Sequence, residues 1–184
     1  NPMTRVGRQI AAVHRAHRPA SGAEHRARAV EMLRRVGIND PERRAAAFAH
    51  ELSGGMAQRA LIAMALAAGP RLLIADEPTS ALDVSIQAQV LDDLARSVRE
   101  AGTAALLVTQ DLGVVANYCD RVAVLHDGAI VEDRPVADFF AAPEHPYSRE
   151  VLRLQRAASD ARLARAATVT AEPLVEVRGL SKAF

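Results

Sequence analysis

Val6, Ile10, Val13 and His17 recur every three or four residues, which places them on one face of a helix. Pro19 and Gly22 interrupt that pattern. Ser21 and Glu24 then spell S-x-x-E, the capping box of a second helix that carries Val30 and Leu33 on one face and ends at Gly37. Asp40-Pro41-Glu42 predicts a third start, an N-cap followed by proline at the first helical position. Residues 1–50 therefore read as a small helical subdomain. Its arginine pairs, Arg34-Arg35 and Arg43-Arg44, belong on solvated faces, as do His14, His17 and His25, which have no metal-ligand spacing.

After residue 50 the period changes. A helix is predicted from Gly55 to Ala68, stopped by Gly69-Pro70. Leu72 to Ala75 is a short apolar run, read as a buried strand that delivers Asp76 and Glu77 at its C-terminal end. Ile86, Val90, Leu94 and Val98 form an amphipathic helix closed by Gly102, and Ala104 to Val108 reads as a second buried strand. A short helix over Leu112–Tyr118 precedes two runs flanking Asp127-Gly128, a hairpin signal. His126 before that turn reads as structural, and Cys119 as half-buried. Strands alternating with helices imply an α/β fold with a mostly parallel sheet and flanking helices. Residues 146–158 read as helical and 159–172 as a linker rich in Ala and Arg. Leu174 to Val177 alternates like the start of a new strand.

Composition narrows the chemistry. Acidic and basic side chains nearly cancel, 22 against 23, so charge gives no reason to expect nucleic-acid binding. One cysteine among 184 residues excludes an internal disulfide or a cysteine metal cluster within the chain. No apolar run approaches the ~18 residues of a membrane span. Lysine occurs once, at Lys182, against 22 arginines, and Gly179-Leu180-Ser181-Lys182 is not a G-x-x-x-x-G-K-[ST] phosphate loop.

Leu52-Ser53-Gly54-Gly55-Met56-Ala57-Gln58-Arg59 stands at a helix start. Ser53 can cap it, the two glycines let a ligand approach the backbone closely, and the free N–H groups favour an anion such as a terminal phosphate. Twenty-three residues after Ser53, Asp76 and Glu77 place two carboxylates where ligands bind in open α/β sheets. Asp76 suits Mg2+, held through water, and Glu77 suits orienting or deprotonating an attacking water.

These motifs in this order resemble the nucleotide-binding domain of ABC ATPases, a P-loop NTPase fold. Leu52 to Gly55 match the signature motif, with Gln58 just beyond; Leu72 to Glu77 match Walker B; Ser80 to Asp83 match the D-loop. The resemblance covers roughly residues 1–158 and implies ATP and Mg2+ as cofactors. It further implies head-to-tail pairing with a second ABC domain, Ser53, Gly54, Gly55, Gln58 and Asp83 facing nucleotide, Asp76 on the metal and Glu77 catalytic. Asn1 to Gly7, Asp83 to Gln89 and His145-Pro146-Tyr147-Ser148 are similar to segments of dipeptide, oligopeptide and nickel importer ATPases. That subfamily implies permease partners, a solute-binding protein reached indirectly, no nucleic acid, and a peripheral position at the cytoplasmic face of the membrane.

The chain departs from the family pattern in three respects. The phosphate loop and the Q-loop glutamine are absent from it. The switch histidine position, expected in T-H-D, reads Thr109-Gln110-Asp111, and Gln110 can donate a hydrogen bond but cannot carry charge. Residues 173–184 resemble the opening of another ABC domain, with Phe184 where an aromatic stacks on adenine. The expected organisation is a helical subdomain (1–50), part of an ABC core (51–144), an importer-type extension (145–158), a linker (159–172) and a second domain's start (173–184). This is read as an internal or truncated piece of a tandem ATPase, inactive by itself. Two alternatives stand beside a peptide importer: a degenerate, non-catalytic ABC subunit, and a soluble ABC ATPase acting on ribosomes or DNA.

Overall fold

A computed structural model describes residues 1–80 and 82–167, with side chains through residue 157. They divide into two units, Asn1–Cys119 and the residues from Asp120 onward. That division falls inside the stretch 51–144 that reads from the sequence as one part of a core.

The first unit opens with three helices, α1 (Val6–His17), α2 (Gly22–Arg35) and α3 (Pro41–Ala46). The capping box forms in full. Ser21 Oγ accepts from the Glu24 amide at 3.2 Å, and Glu24 returns the bond to the Ser21 amide at 2.7 Å. Helix α2 ends at Arg35, two residues before Gly37, whose φ of 71° only glycine adopts cheaply. Asp40 differs from expectation. Its backbone is left-handed and its side chain makes no cap bond, so α3 starts on the rigidity of Pro41 alone.

A 3₁₀ turn (Ala49–Glu51) leads into α4 (Gly54–Ala67), then β1 (Leu72–Asp76), α5 (Val84–Ala101), β2 (Ala104–Val108) and α6 (Leu112–Tyr118). The core lies where α1, α2, α4 and α5 meet: Ile10, Met32, Leu33, Ala63, Leu66 and Val90 are buried together with Leu73 of β1. Strands β1 and β2 pair in parallel, Leu72 opposite Ala104 through Asp76 opposite Val108.

The two strands are less buried than their apolar runs suggest. Leu73 faces the helical core, but Leu72, Ile74, Leu106 and Val108 are 52, 62, 51 and 47% exposed. Alternation along a strand explains this, since one face packs on the helices and the other has no covering layer among the described residues.

In the second unit, β3 (Arg121–His126) and β4 (Ala129–Pro135) form an antiparallel hairpin. Asp127 and Gly128 both have positive φ, 49° and 77°, as a two-residue type I′ turn requires. Helices α7 (Val136–Ala141) and α8 (Pro146–Ala167) follow. Helix α8 continues into the stretch expected as a linker, since Ala, Arg and Leu are all strong helix formers even without a bulky apolar stripe. The expected strand at Leu174–Val177, the remainder of the linker and Phe184 lie outside the described residues, as does Ala81 of the D-loop match.

Candidate nucleotide-facing site

The parallel register of β1 and β2 brings the chain out of both strands at one edge, with Asp76 opposite Val108. Asp76 is exposed there and Glu77 half-buried. Glu77 has a φ of 45°, uncommon for a residue with a side chain. Its amide donates to the Val108 carbonyl at 2.9 Å, while its carbonyl accepts from the amide and hydroxyl of Ser80, both at 3.2 Å. This bend turns Glu77 off the strand path at the point where β2 ends. Gln110 lies two residues beyond Val108 and is exposed. It stands between the Thr109 hydroxyl, which accepts from the Asp111 amide at 3.1 Å, and Asp111, which caps α6 through the Gly113 and Val114 amides. Asp76, Glu77 and Gln110 thus share one edge of the sheet.

The second group is the start of α4. Ser53 is its N-cap, accepting from the Met56 amide at 3.4 Å. Gly54 and Gly55 occupy the first turn, where N–H groups have no partner within the helix. Gly55 has a further reason to lack a side chain, because a Cβ there would lie 2.5 Å from Ile86 Cγ2 of α5. Gly54 sits beside Leu82. Asp83 caps α5, accepting from the Ile86 amide at 3.0 Å. The signature-like start of α4 therefore packs on the start of α5. Gln58 follows one turn later on α4 and is half-buried.

The start of α5 also reaches the strand-end group: Gln87 Nε2 donates to Asp111 Oδ2 at 3.5 Å. Sequence reasoning missed this bridge and a second one, the ion pair of Arg59 on α4 with Asp93 on α5. Both join residues 24 to 34 positions apart, which no local pattern encodes.

The donor set fits a nucleotide in part. Among the described residues no cluster of three or more acidic, His or Cys side chains could enclose a metal. Mg2+ is commonly held by one or two carboxylates with water and phosphate oxygens, for which Asp76 is the candidate carboxylate here. The first-turn amides of α4 suit phosphate oxygens. A lysine-bearing phosphate loop is not in this sequence.

The segment His145-Pro146-Tyr147-Ser148 lies in the second unit and has its own anchor. Buried Glu132 of β4 accepts from the amides of Glu144 (2.9 Å) and His145 (3.0 Å), with Arg134 at 3.6 Å. Burial pushes the Glu132 carboxyl up, but those two amides, the Ser148 hydroxyl and Arg134 outweigh it and hold the group at about 2. Tyr147 stacks on His126, ring centroids 3.8 Å apart.

Two of the expected solvated histidines are not solvated. His25 is 6% exposed and His14 half-buried, their Nδ1 atoms 2.9 Å apart where α1 packs on α2. Arg34 and Arg35 are ion-paired with Glu42 and Glu31.

Residues 1–80 match the ABC transporter family. A probable peptide ABC transporter ATP-binding protein of Sinorhizobium fredii is 55% identical over 152 residues, 83% of this chain and 45% of that protein. An oligopeptide transport ATP-binding protein of Bacillus subtilis is 53% identical over 148 residues, 80% of this chain and 41% of that protein. The chain thus spans less than half the length of these relatives. Among solved structures, a dimeric bacterial ABC transporter cassette superposes with a TM-score of 0.63 at 32% identity, covering 74% of this chain and 58% of that one. A dimeric post-hydrolysis cassette bound to ADP and Pi gives 0.63 at 31% identity with the same coverage. With its motifs set on the elements described above, the chain is similar over most of its length to the ATP-binding cassettes of ABC transporters.

Proposed function

We propose that this chain is part of the ATP-binding subunit of an ABC importer that couples ATP hydrolysis to uptake of peptides or related small solutes. The observation that carries the proposal is the pairing of an amide-rich helix start at Ser53–Gly55 with the carboxylates Asp76 and Glu77 at a strand end. The names of the relatives support the solute class. The proposed setting is peripheral, at the cytoplasmic face of the membrane. There the subunit would work with transmembrane permease subunits, a second ABC domain and, indirectly, a solute-binding protein. No helix among the described residues is long and apolar enough to cross a membrane.

When bound, MgATP supplies the transferable phosphoryl group, with the cation neutralising its developing charge. In this reading Asp76 holds the cation through water, and Glu77 orients the attacking water and takes its proton on a carboxylate oxygen. Ser53, Gly54 and Gly55 offer hydrogen-bond donors to phosphate held by the partner domain, with Gln58 and Asp83 beside them. Gln110 offers an amide N–H where an imidazole would stand in the family pattern.

Glu77→Gln in the full-length polypeptide is the test. It should retain nucleotide binding and slow hydrolysis by roughly 10²-fold, the scale of losing a general base. Unchanged turnover would overturn the role of Glu77. The 184-residue chain by itself should show no Mg2+-dependent hydrolysis, since it holds no lysine-bearing phosphate loop.

Gln110 favours a second reading, a degenerate subunit that binds nucleotide and pairs with an active partner without turning over. Hydrolysis by the full-length polypeptide with its other ABC site disabled separates the two.

A further inference from the structure

His14 of α1 and His25 of α2 meet with Nδ1 atoms 2.9 Å apart and ring planes at 75°. Two imidazole nitrogens at that distance make a hydrogen bond only when one carries a proton and the other does not. The contact therefore tolerates two neutral rings, or one neutral and one cationic. With both rings protonated, two N–H groups and two positive charges would face each other across the same gap.

Among the surrounding charges, Glu24 is the one acid that acts on both rings, and cations outnumber it. Arg18 and Arg28 add positive charge beside His14. Glu24, the nearby acid, is committed to the capping box of Ser21. Glu31 is paired with Arg28 at 2.9 Å and Arg35 at 3.6 Å. From α4, which packs on both helices, the charged residue is Arg59, itself held by Asp93. Helix α3 contributes Glu42, paired with Arg34, and the cations Arg43 and Arg44. The same cations argue against a metal ion on the two imidazoles.

We propose that His14 and His25 form a proton-operated latch that closes the α1–α2 hairpin while they share at most one proton and releases its tip when both are charged. Burial, then His25, Arg28 and Arg18, lower the His14 pKa from 6.5, against a smaller upward pull from Glu24. A base whose pKa is lower in the folded state stabilises that state above its unfolded value. The contribution is therefore complete above about 6.5 and is lost as pH falls below it. Opening stays local, since Ile10, Met32 and Leu33 anchor both helices in the core away from the turn.

The test combines imidazole NMR and amide hydrogen exchange on the 184-residue chain, corrected for intrinsic exchange rates. From about pH 7.5 to about pH 5.5, a range that spans the ordinary imidazole titration, protection at the end of α1 and start of α2 should fall by several-fold, up to about tenfold. Protection at Leu66 and Val90 should hold. His14→Gln keeps a donor toward His25 but cannot charge, and should abolish the acid-triggered loss. Independent titration of both rings near the ordinary value with unchanged protection would overturn the latch. So would an equal loss in His14→Gln. The wild-type titration decides the matter by itself if the variant fails to fold.

Discussion

Arg59 on α4 reaches Asp93 on α5, Nη2 to Oδ2 at 2.9 Å, with both side chains largely buried. Asp93 also pairs with Arg96 and fills the space over Gly37, where a Cβ would lie 2.9 Å from Oδ2. Ser97, one turn on, donates to the Arg35 carbonyl at the end of α2. Helix α5 is thereby tied to both the signature-like helix and the helical region.

Asp93→Ala should destabilise the first unit by about 3–5 kcal/mol, because it strands the Arg59 guanidinium in a poorly solvated place. The double substitution Arg59→Met with Asp93→Leu should recover most of that loss, since apolar packing can replace a buried pair. Urea denaturation of the parent, Asp93→Ala and the double variant measures both effects. A loss below about 1 kcal/mol for Asp93→Ala would show that the pair behaves as a surface pair.

Gly55→Ala should cost roughly 1–3 kcal/mol, because the added methyl overlaps Ile86 Cγ2 and forces α4 and α5 apart. Gly54→Ala, whose methyl would meet Leu82 Cδ2 at 3.6 Å, should be nearly silent in stability. Pairing Gly55→Ala with Ile86→Ala removes the obstructing atom, so the two substitutions should be markedly non-additive in a thermal denaturation cycle.

How much of this was legible in the sequence depends on range. The Ser21–Glu24 box, the Ser53 cap, the α5 period and the Asp127-Gly128 turn are written within a few adjacent residues, and all formed. The order of Ser53, Asp76, Glu77 and Asp83 carried the family as well. The pairs His14–His25, Arg59–Asp93 and Gln87–Asp111 depend on how helices pack, which hydrophobic period does not specify. Leu72 and Ile74 misled for a related reason. An apolar strand states that both faces tolerate cover, not which face receives it. Asp40 misled because the cap residue alone does not fix its backbone, which here is left-handed.

Glu132 predicts a pH dependence in the second unit. Its folded pKa of about 2 lies below the ordinary 4.5. The group therefore contributes stability fully above about 4.5 and loses it as pH falls toward 2. Glu132→Gln should remove that acid-sensitive component and loosen the Glu144–Ser148 segment at neutral pH, since a neutral amide oxygen accepts more weakly than a carboxylate. Near-ultraviolet circular dichroism of Tyr147 on His126 reports the segment. An unchanged acid transition in the variant would remove Glu132 as its cause.

The last prediction concerns Gln110 and rests on the proposed ATPase activity. Gln110 leaves β2 at the edge where Glu77 hangs on the Val108 carbonyl, so a side chain here and the Glu77 carboxylate belong to one neighbourhood. Gln110→His would place an imidazole there, able as a cation to stabilise charge that develops on a transferring phosphoryl group. A neutral amide supplies the hydrogen bond without the charge. A preorganised donor at such a point is worth ~10²–10³ in rate. The full-length polypeptide with its other ABC site disabled should therefore turn over faster as Gln110→His than as the parent, with nucleotide affinity little changed. The gain should also fade as pH rises through the imidazole pKa, which a purely structural effect would not do. Equal steady-state rates would count against any catalytic deficit at Gln110, and a gain independent of pH would count against the charge argument.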